Sequence, residues 1–168
     1  PRTVSNAIKT ASEHGVDLMT VHALGGRVML EEAALAAKSC SAPPKIVAVT
    51  TLTSLNERDF NDLGLFRSVE DQAVALGELA IQSGIDGLVT SAHEAKTLRS
   101  AFPDSILVTP GIRMPSGDIA DQKRVATPSY AVEQGSTYLV VGRPIVQSDN
   151  PEQAAHLIIN DMNRTLDK

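Results

Sequence analysis

Residues 83–90, Ser83-Gly84-Ile85-Asp86-Gly87-Leu88-Val89-Thr90, decide how this chain folds. They close a stretch with helical spacing, residues 69–83, in which Ala, Leu and Glu dominate, and they open a short apolar run. Gly84 suits the left-handed position that ends a helix, so the segment reads as a helix-to-strand turn. The same joint recurs as HGVDLMTV over residues 14–21 and QGSTYLVV over residues 134–141, with Gly15 and Gly135 in the place of Gly84. Asp17 and Asp86 stand just before the apolar runs, at the N-terminal strand ends that serve stability in barrels, and both read as structural.

Working outward, runs rich in Val, Ile, Leu and Thr occupy residues 18–23, 46–50, 87–91, 106–109 and 138–141. Each is too short for a helix and apolar on both faces, as a strand buried between layers is. Residues 27–39, 69–83 and 93–101 have helical spacing, and residues 3–14 read as a helix with no strand before it. The alternation predicts parallel strands with helices packed outside them. About five βα units are visible, whereas a closed (β/α)8 barrel needs eight and usually at least about 200 residues. The expected fold is therefore α/β, a TIM (β/α)8 barrel of which residues 1–168, as one domain, supply about the last five units.

Composition narrows the function. Hydrophobic residues at 42% and charged residues at 21% match a globular chain and exclude disorder. No segment approaches the run of about 20 apolar residues a membrane helix needs, and Pro1-Arg2-Thr3 opens no apolar leader, so no membrane and a cytoplasmic location are expected. The single Cys40 excludes an internal disulfide framework and reads as a small buried side chain on a helix. Acidic residues outnumber basic ones 20 to 15, and aromatics are 3%, which argues against a nucleic-acid partner.

The C-terminal ends of the runs are different in kind: residues 22–26, 51–54, 91–93, 110–117 and 142–143 concentrate polar groups, glycines and prolines where a barrel places its chemistry. The last two strand ends carry Pro110-Gly111-Ile112-Arg113 and Gly142-Arg143-Pro144. Gly142 admits a ligand to the backbone, Arg143 offers a planar donor fork for phosphate oxygens, and Pro144 suits a first helical turn. The other reading of Arg143 is a solvated surface residue. Residues 113–124, RMPSGDIADQKR, read as a lid over a site or as a surface excursion, and Gln122 in it can join a phosphate to a neutral carbonyl. Thr50, Thr51, Thr53 and Ser54 crowd one strand end, where hydroxyls can meet a polar ring edge. His22 either lines the site or is a hydrogen-bonded structural imidazole, the reading preferred here, while His14, His93 and His156 fall on helices and read as solvated. No Gly-rich nucleotide fingerprint, Walker loop or HExxH is present, so neither a cofactor nor a metal is indicated. Lys45 falls before a strand and Lys123 in the long loop, which leaves the strand ends without a Lys.

Together DLMTVHALGG (17–26), AVTTLTS (48–54), DGLVTSAHEA (86–95), LVTPGIR (107–113), DQKR (121–124) and YLVVGRPI (138–145) resemble the bacterial orotidine 5′-phosphate decarboxylase family over essentially the whole chain. The opening PRTV looks like the tail of that family's Asp-x-Lys-x-x-Asp-Ile-Pro-x-Thr segment, of which Pro1 and Thr3 are present. The resemblance implies cofactor-free decarboxylation of orotidine 5′-monophosphate to uridine 5′-monophosphate by a homodimeric TIM barrel. It further implies that Thr3 reaches the ribose of the partner's ligand, Thr53 faces the pyrimidine edge, and Pro110 and Ile112 wall the reacting carbon. Gln122 would bridge phosphate and ring carbonyl, with Arg113, Gly142 and Arg143 in the phosphate and lid region. The family's catalytic Lys and aspartates belong before Pro1, so no catalytic residue is assigned here. The chain reads as a fragment that supplies the binding framework and is inactive alone. The alternatives are a sugar-phosphate decarboxylase or lyase of the same superfamily, and a non-catalytic phosphate-binding module.

Overall fold

A computed structural model describes residues 1–114 and 125–164. Its elements run α1 (Arg2–Glu13), β1 (Leu18–His22), a 3-10 turn (Ala23–Gly25), α2 (Arg27–Lys38), β2 (Lys45–Val49), α3 (Glu57–Asp62), α4 (Val69–Gln82) and β3 (Gly87–Val89). There follow α5 (Ala92–Ala101), β4 (Ile106–Thr109), α6 (Pro128–Glu133), β5 (Tyr138–Leu139), α7 (Arg143–Val146) and α8 (Pro151–Asn163). The five strands form one parallel sheet in the order β1-β2-β3-β4-β5, each pairing with its successor. A doubly wound sheet reverses its strand order, whereas steady progression is the βα-barrel pattern. The described strands are thus five consecutive units of a (β/α)8 barrel. No described helix is long and apolar enough to cross a membrane.

The three helix-to-strand joints form as the glycines require. Gly15, Gly84 and Gly135 adopt φ of 70°, 85° and 92°, each two residues past the end of α1, α4 and α6 respectively. Alternation along each strand then sorts the side chains into two layers. Val21, Ile46, Ala48, Leu88 and Leu107 join the helix-facing core with Ile8, Leu30, Leu76 and Leu98, and alanines of α2 allow that helix close approach. The register sets His22, Val49, Val89, Val108 and Tyr138 in one row across the opposite face.

The expectation of strands apolar on both faces holds in the middle and fails at the margins. Ile46, Val47 and Ala48 of β2 are fully buried, but Thr20 and His22 on β1 and Tyr138 on β5 are exposed, because β1 and β5 are the sheet edges among the described residues. Except for β4, the strands also end before the apolar runs do. Lys45 is the first residue of β2 rather than preceding it, and its Nζ pairs with Asp86 Oδ1 at 2.9 Å. Asp86 Oδ2 accepts from the Ile46 N–H at 2.9 Å, and the Asp17 carbonyl accepts from the Lys45 N–H at 2.8 Å. The Asp86 carboxylate is thus structural, whereas Asp17 contributes here through its main chain and its side chain is exposed. The short helix α3 escaped periodicity; it is set by a capping box in which Asn56 Oδ1 accepts from the Asp59 N–H and Asp59 Oδ2 accepts from the Asn56 N–H.

Two residues at this end make contacts that a substitution would break. A Cβ on Gly87 would collide with the Ile106 carbonyl oxygen and lie 2.6 Å from Ile106 Cβ, backbone-linked atoms of β4 that cannot swing aside. Gly87→Ala is expected to cost about 3 kcal/mol, read as a lowered urea midpoint of the full-length protein at unchanged m-value. Arg99 ties three segments together: Nη1 donates to the Pro103 and Ser105 carbonyls at 2.6 and 2.8 Å, Nε and Nη2 to the Gly135 carbonyl at 3.1 and 2.9 Å, and Nη2 also to Thr137 Oγ1 at 3.0 Å. A point-charge ammonium does not reproduce this fork, so Arg99→Lys is expected to lose about 2 kcal/mol by the same measurement.

Candidate functional site

The C-terminal end of β4 is held in place by side-chain and backbone bonds on three sides. Thr109, fully buried, shares a 2.6 Å hydrogen bond between its Oγ1 and Ser136 Oγ. The chain then turns through Gly111 at φ 83°, and Ile112 forms a parallel bridge with Ala126. The Arg113 N–H donates to the Ala126 carbonyl at 2.9 Å and the Ala126 N–H to the Gly111 carbonyl at 3.2 Å. These bonds tie residues 111–113 to residue 126 and so fix both flanks of the long loop at its base. The loop's interior, residues 115–124 with Gln122, lies outside the described residues.

Arg113 is 8% exposed, and its Nη1 donates to the Ile112 carbonyl at 2.7 Å. Gly142 caps α7, where its carbonyl accepts from the N–H groups of Ile145 and Val146 at 2.9 and 3.1 Å. A Cβ on Gly142 would meet nothing within 4 Å, so the space outside this backbone is open. Arg143 is half-buried as the first residue of α7. A small apolar cluster of Ala92, Ile112 and Ala131, with Leu139 and Val141 against it, joins the two strand-end loops to the first turn of α5. The structure therefore places Pro110, Ile112 and Arg113 after β4 and Gly142 and Arg143 after its paired neighbour β5, with Ile112 and Val141 in one apolar cluster.

The remaining candidates are more dispersed. Thr53 is half-buried in a turn closed by the Leu55 N–H on the Leu52 carbonyl at 3.0 Å, at the end of β2. Thr50 donates its hydroxyl to the Val89 carbonyl at 3.0 Å, a bond that splices β2 to β3. His22 is exposed and makes no side-chain hydrogen bond among the described residues, which corrects the preferred reading of a hydrogen-bonded structural imidazole: it ends a strand that is a sheet edge among those residues. Val4 and Ala7 line a groove together with His22 and Gly25, so the first turn of α1 stands at the C-terminal end of β1. Pro1 and Thr3 are exposed there, at the opposite margin of the sheet from β5. His14, His93 and His156 are exposed as expected, with the His93 ring 6.0 Å from that of Tyr130. Cys40, only half-buried, donates to the Ala36 carbonyl at 3.2 Å.

One pair was missed from the sequence. Ser91 is fully buried and Glu94 is 2% exposed, and Ser91 Oγ donates to Glu94 Oε2 at 2.5 Å while accepting from the His93 N–H at 3.2 Å. This sets a buried carboxylate in the first turn of α5, beside the cluster that joins the two loops. The signal was available: Ser-x-x-Glu before a helical stretch is a capping pattern.

Three comparisons bear on this arrangement. The sequence model described as Orotidine 5′-phosphate decarboxylase / HUMPS family matches residues 1–158. The orotidine 5′-phosphate decarboxylase of Sphingopyxis alaskensis is 46% identical over 159 residues, covering 94% of this chain and 69% of the relative. That of Hydrogenovibrio crunogenus is 44% identical over 167 residues, 99% of this chain and 69% of its own length. Among solved structures, the orotidine 5′-phosphate decarboxylase from Lactobacillus acidophilus superposes with a TM-score of 0.80 at 36% identity, over 97% of this chain and 70% of that one. The enzyme of that name from Pyrococcus horikoshii, at 20% identity and a TM-score of 0.70, shares the fold.

Proposed function

Since this chain belongs to the orotidine 5′-phosphate decarboxylase / HUMPS family, we propose that it carries the phosphate-, ribose- and pyrimidine-binding part of an enzyme that converts orotidine 5′-monophosphate to uridine 5′-monophosphate and carbon dioxide in pyrimidine biosynthesis. The observation that carries this reading is that the segments bearing Arg113 and Gly142-Arg143 follow adjacent paired strands and share one apolar cluster. Arg143 and the open backbone at Gly142 hold the phosphate, since a guanidinium and main-chain N–H groups together suit a dianion. Arg113, buried after β4, adds positive charge to the same end of the sheet. Pro110 and Ile112 form the apolar wall beside the reacting carbon, Thr53 faces the pyrimidine edge, and Gln122 spans phosphate and ring carbonyl. Thr3 serves the ribose of a second subunit's ligand in a cytoplasmic homodimer, with Pro1 beside it in the substrate-binding segment, and the 168 residues are part of one barrel domain.

The reaction breaks the bond from ring carbon to carboxylate, releases carbon dioxide and leaves a carbanion that takes up a proton. Stabilising that charge needs a placed cation, and selectivity for the transition state needs an anion near the departing carboxylate. We assign neither to this chain. Its part is to spend binding energy on the phosphate, far from the reacting carbon, and so hold the ring in register.

The test is substrate choice by the full-length protein. It is expected to consume orotidine 5′-monophosphate and to leave keto-sugar phosphates untouched. Turnover of a keto-sugar phosphate without decarboxylation of the nucleotide would replace this reading with a sugar-phosphate lyase, which needs the phosphate corner but not Thr53 or Gln122.

A further inference from the structure

Helix α8 carries a carboxylate that its own surroundings disfavour. Asp161 lies in the last turn of α8, where the helix dipole opposes negative charge, and it is 7% exposed. Its stabilising bond crosses to another helix: Asp161 Oδ2 accepts from the Ser129 N–H, in the first turn of α6, at 2.9 Å. The donors of that turn are otherwise accounted for within α6. The Tyr130 N–H donates to Thr127 Oγ1 at 3.2 Å, the Ala131 N–H donates to the Thr127 carbonyl at 3.0 Å, and Pro128 has no N–H, so Asp161 serves the donor that α6 leaves open. The Arg164 guanidinium, 3.5 Å from Asp161 Oδ1, is exposed and adds little.

This bond joins the two segments that carry the phosphate assignment. On one side, α6 begins just after Ala126, whose main chain is bonded to Gly111 and Arg113, and Ala131 of α6 packs in the cluster with Ile112 and Val141. On the other side, α8 packs against α7 as well as α6, and Arg143 is the first residue of α7. We propose that Asp161 is a positioning residue for Arg143: by fixing α8 on α6 it sets where α7 holds that guanidinium relative to the end of β4. The inference rests on the function proposed above, in which Arg143 grips the substrate's phosphate. Apolar contact is non-directional and lets packed helices slide, whereas a hydrogen bond from a main-chain donor fixes their register. Besides Asp161, Ile158 is the one residue of α8 that is buried among the described residues, and Leu157 and Ile159 are half exposed, so the polar bond is what locates the helix. A misplacement of about 1 Å in a group that holds substrate can cost up to about a hundredfold in rate, which turns a small slide of α7 into a measurable loss.

The experiment uses the full-length protein with orotidine 5′-monophosphate and orotidine as paired substrates. Asp161→Ala is expected to lower kcat/KM for the nucleotide about tenfold and to leave the slow turnover of orotidine unchanged, because only the nucleotide has a phosphate for Arg143 to hold. In an Arg143→Ala background the same change is expected to add less than about a twofold loss, since both substitutions remove one interaction. Asp161→Asn keeps an acceptor oxygen at the same reach and recovers most of the activity, leaving a loss of about two- to threefold. If Asp161→Ala does not fold, that smaller loss decides, again by falling on the nucleotide and not on orotidine. Crystals of Asp161→Ala, or of Asp161→Asn in its place, are expected to show α7 displaced from the end of β4, by about 1 Å in the alanine variant. Equal losses on both substrates, additive losses with Arg143→Ala, or an unmoved α7 would each overturn the proposal. The displacement is read without turnover, so a parent protein inert toward orotidine 5′-monophosphate would sink the functional reading while the crystals still decided this one.

Discussion

Arg143→Ala in the full-length protein is expected to lower kcat/KM for orotidine 5′-monophosphate roughly a hundredfold or more, about 3 kcal/mol of transition-state stabilisation. The size follows from what a guanidinium does for a phosphate dianion. It supplies charge-assisted, bidentate hydrogen bonds that are about twice as strong as neutral ones, and the half-buried setting of Arg143 weakens the competition from water. Binding energy taken from a remote, unreacting group is also what restrains the ring in the transition state, so the loss falls on kcat as well as KM. The control is orotidine, the same nucleoside without its phosphate. It offers Arg143 nothing to hold, so variant and parent process it at similar, low rates. An equal loss on both substrates would mean that Arg143 supports the fold or the ring site. Arg143→Lys keeps the charge and loses the fork, and an intermediate value is expected.

The second large effect concerns the 168-residue polypeptide by itself. No decarboxylation is expected from it, and size-exclusion chromatography should find it aggregated. Two features motivate this. Among the described residues, β1 pairs only with β2 and β5 only with β4, so both sheet edges present free backbone groups beside exposed Tyr138, Val140 and His22. No Lys stands at the C-terminal end of any of the five strands, and the chain spans 69% of the length of the relatives from Sphingopyxis and Hydrogenovibrio. Supplying the three further strands of a (β/α)8 barrel, with their Lys and Asp residues, should restore both solubility and turnover. A monodisperse, cooperatively melting and active 168-residue product would refute this division of labour.

Much of the framework that carries the candidate site was legible before the fold because its signals are short-ranged. A glycine closing a helix, an apolar run of four or five residues, and a Pro-Gly or Gly-Arg-Pro turn depend on a few neighbouring dihedrals, and these placed the end of β4 at Pro110, whereas β5 stops at Leu139, short of Gly142. The preference for a structural imidazole at His22 failed for the complementary reason: whether a ring at a strand end is covered depends on what stands beyond the strand, which no local pattern reports. The early ends of β3 and β5 have the same origin, since a ladder stops where the neighbouring strand's partners stop.

What the amino-acid sequence determined by itself is the βα alternation, the three glycine joints, the end of the sheet where polar groups gather and, through its motifs, the family. The tertiary structure alone decided that Arg113 is buried, that Ser91 and Glu94 form an enclosed pair, and that Gly87 must be bare because Ile106 of the next strand lies against it. The division is physical. Propensity and capping act through bonds within one turn, and they survive in any chain of this composition. Burial and the desolvation of a guanidinium, a carboxylate or a hydroxyl arise only where segments distant in sequence close over them, and there the same residue type is solvated in one fold and enclosed in another.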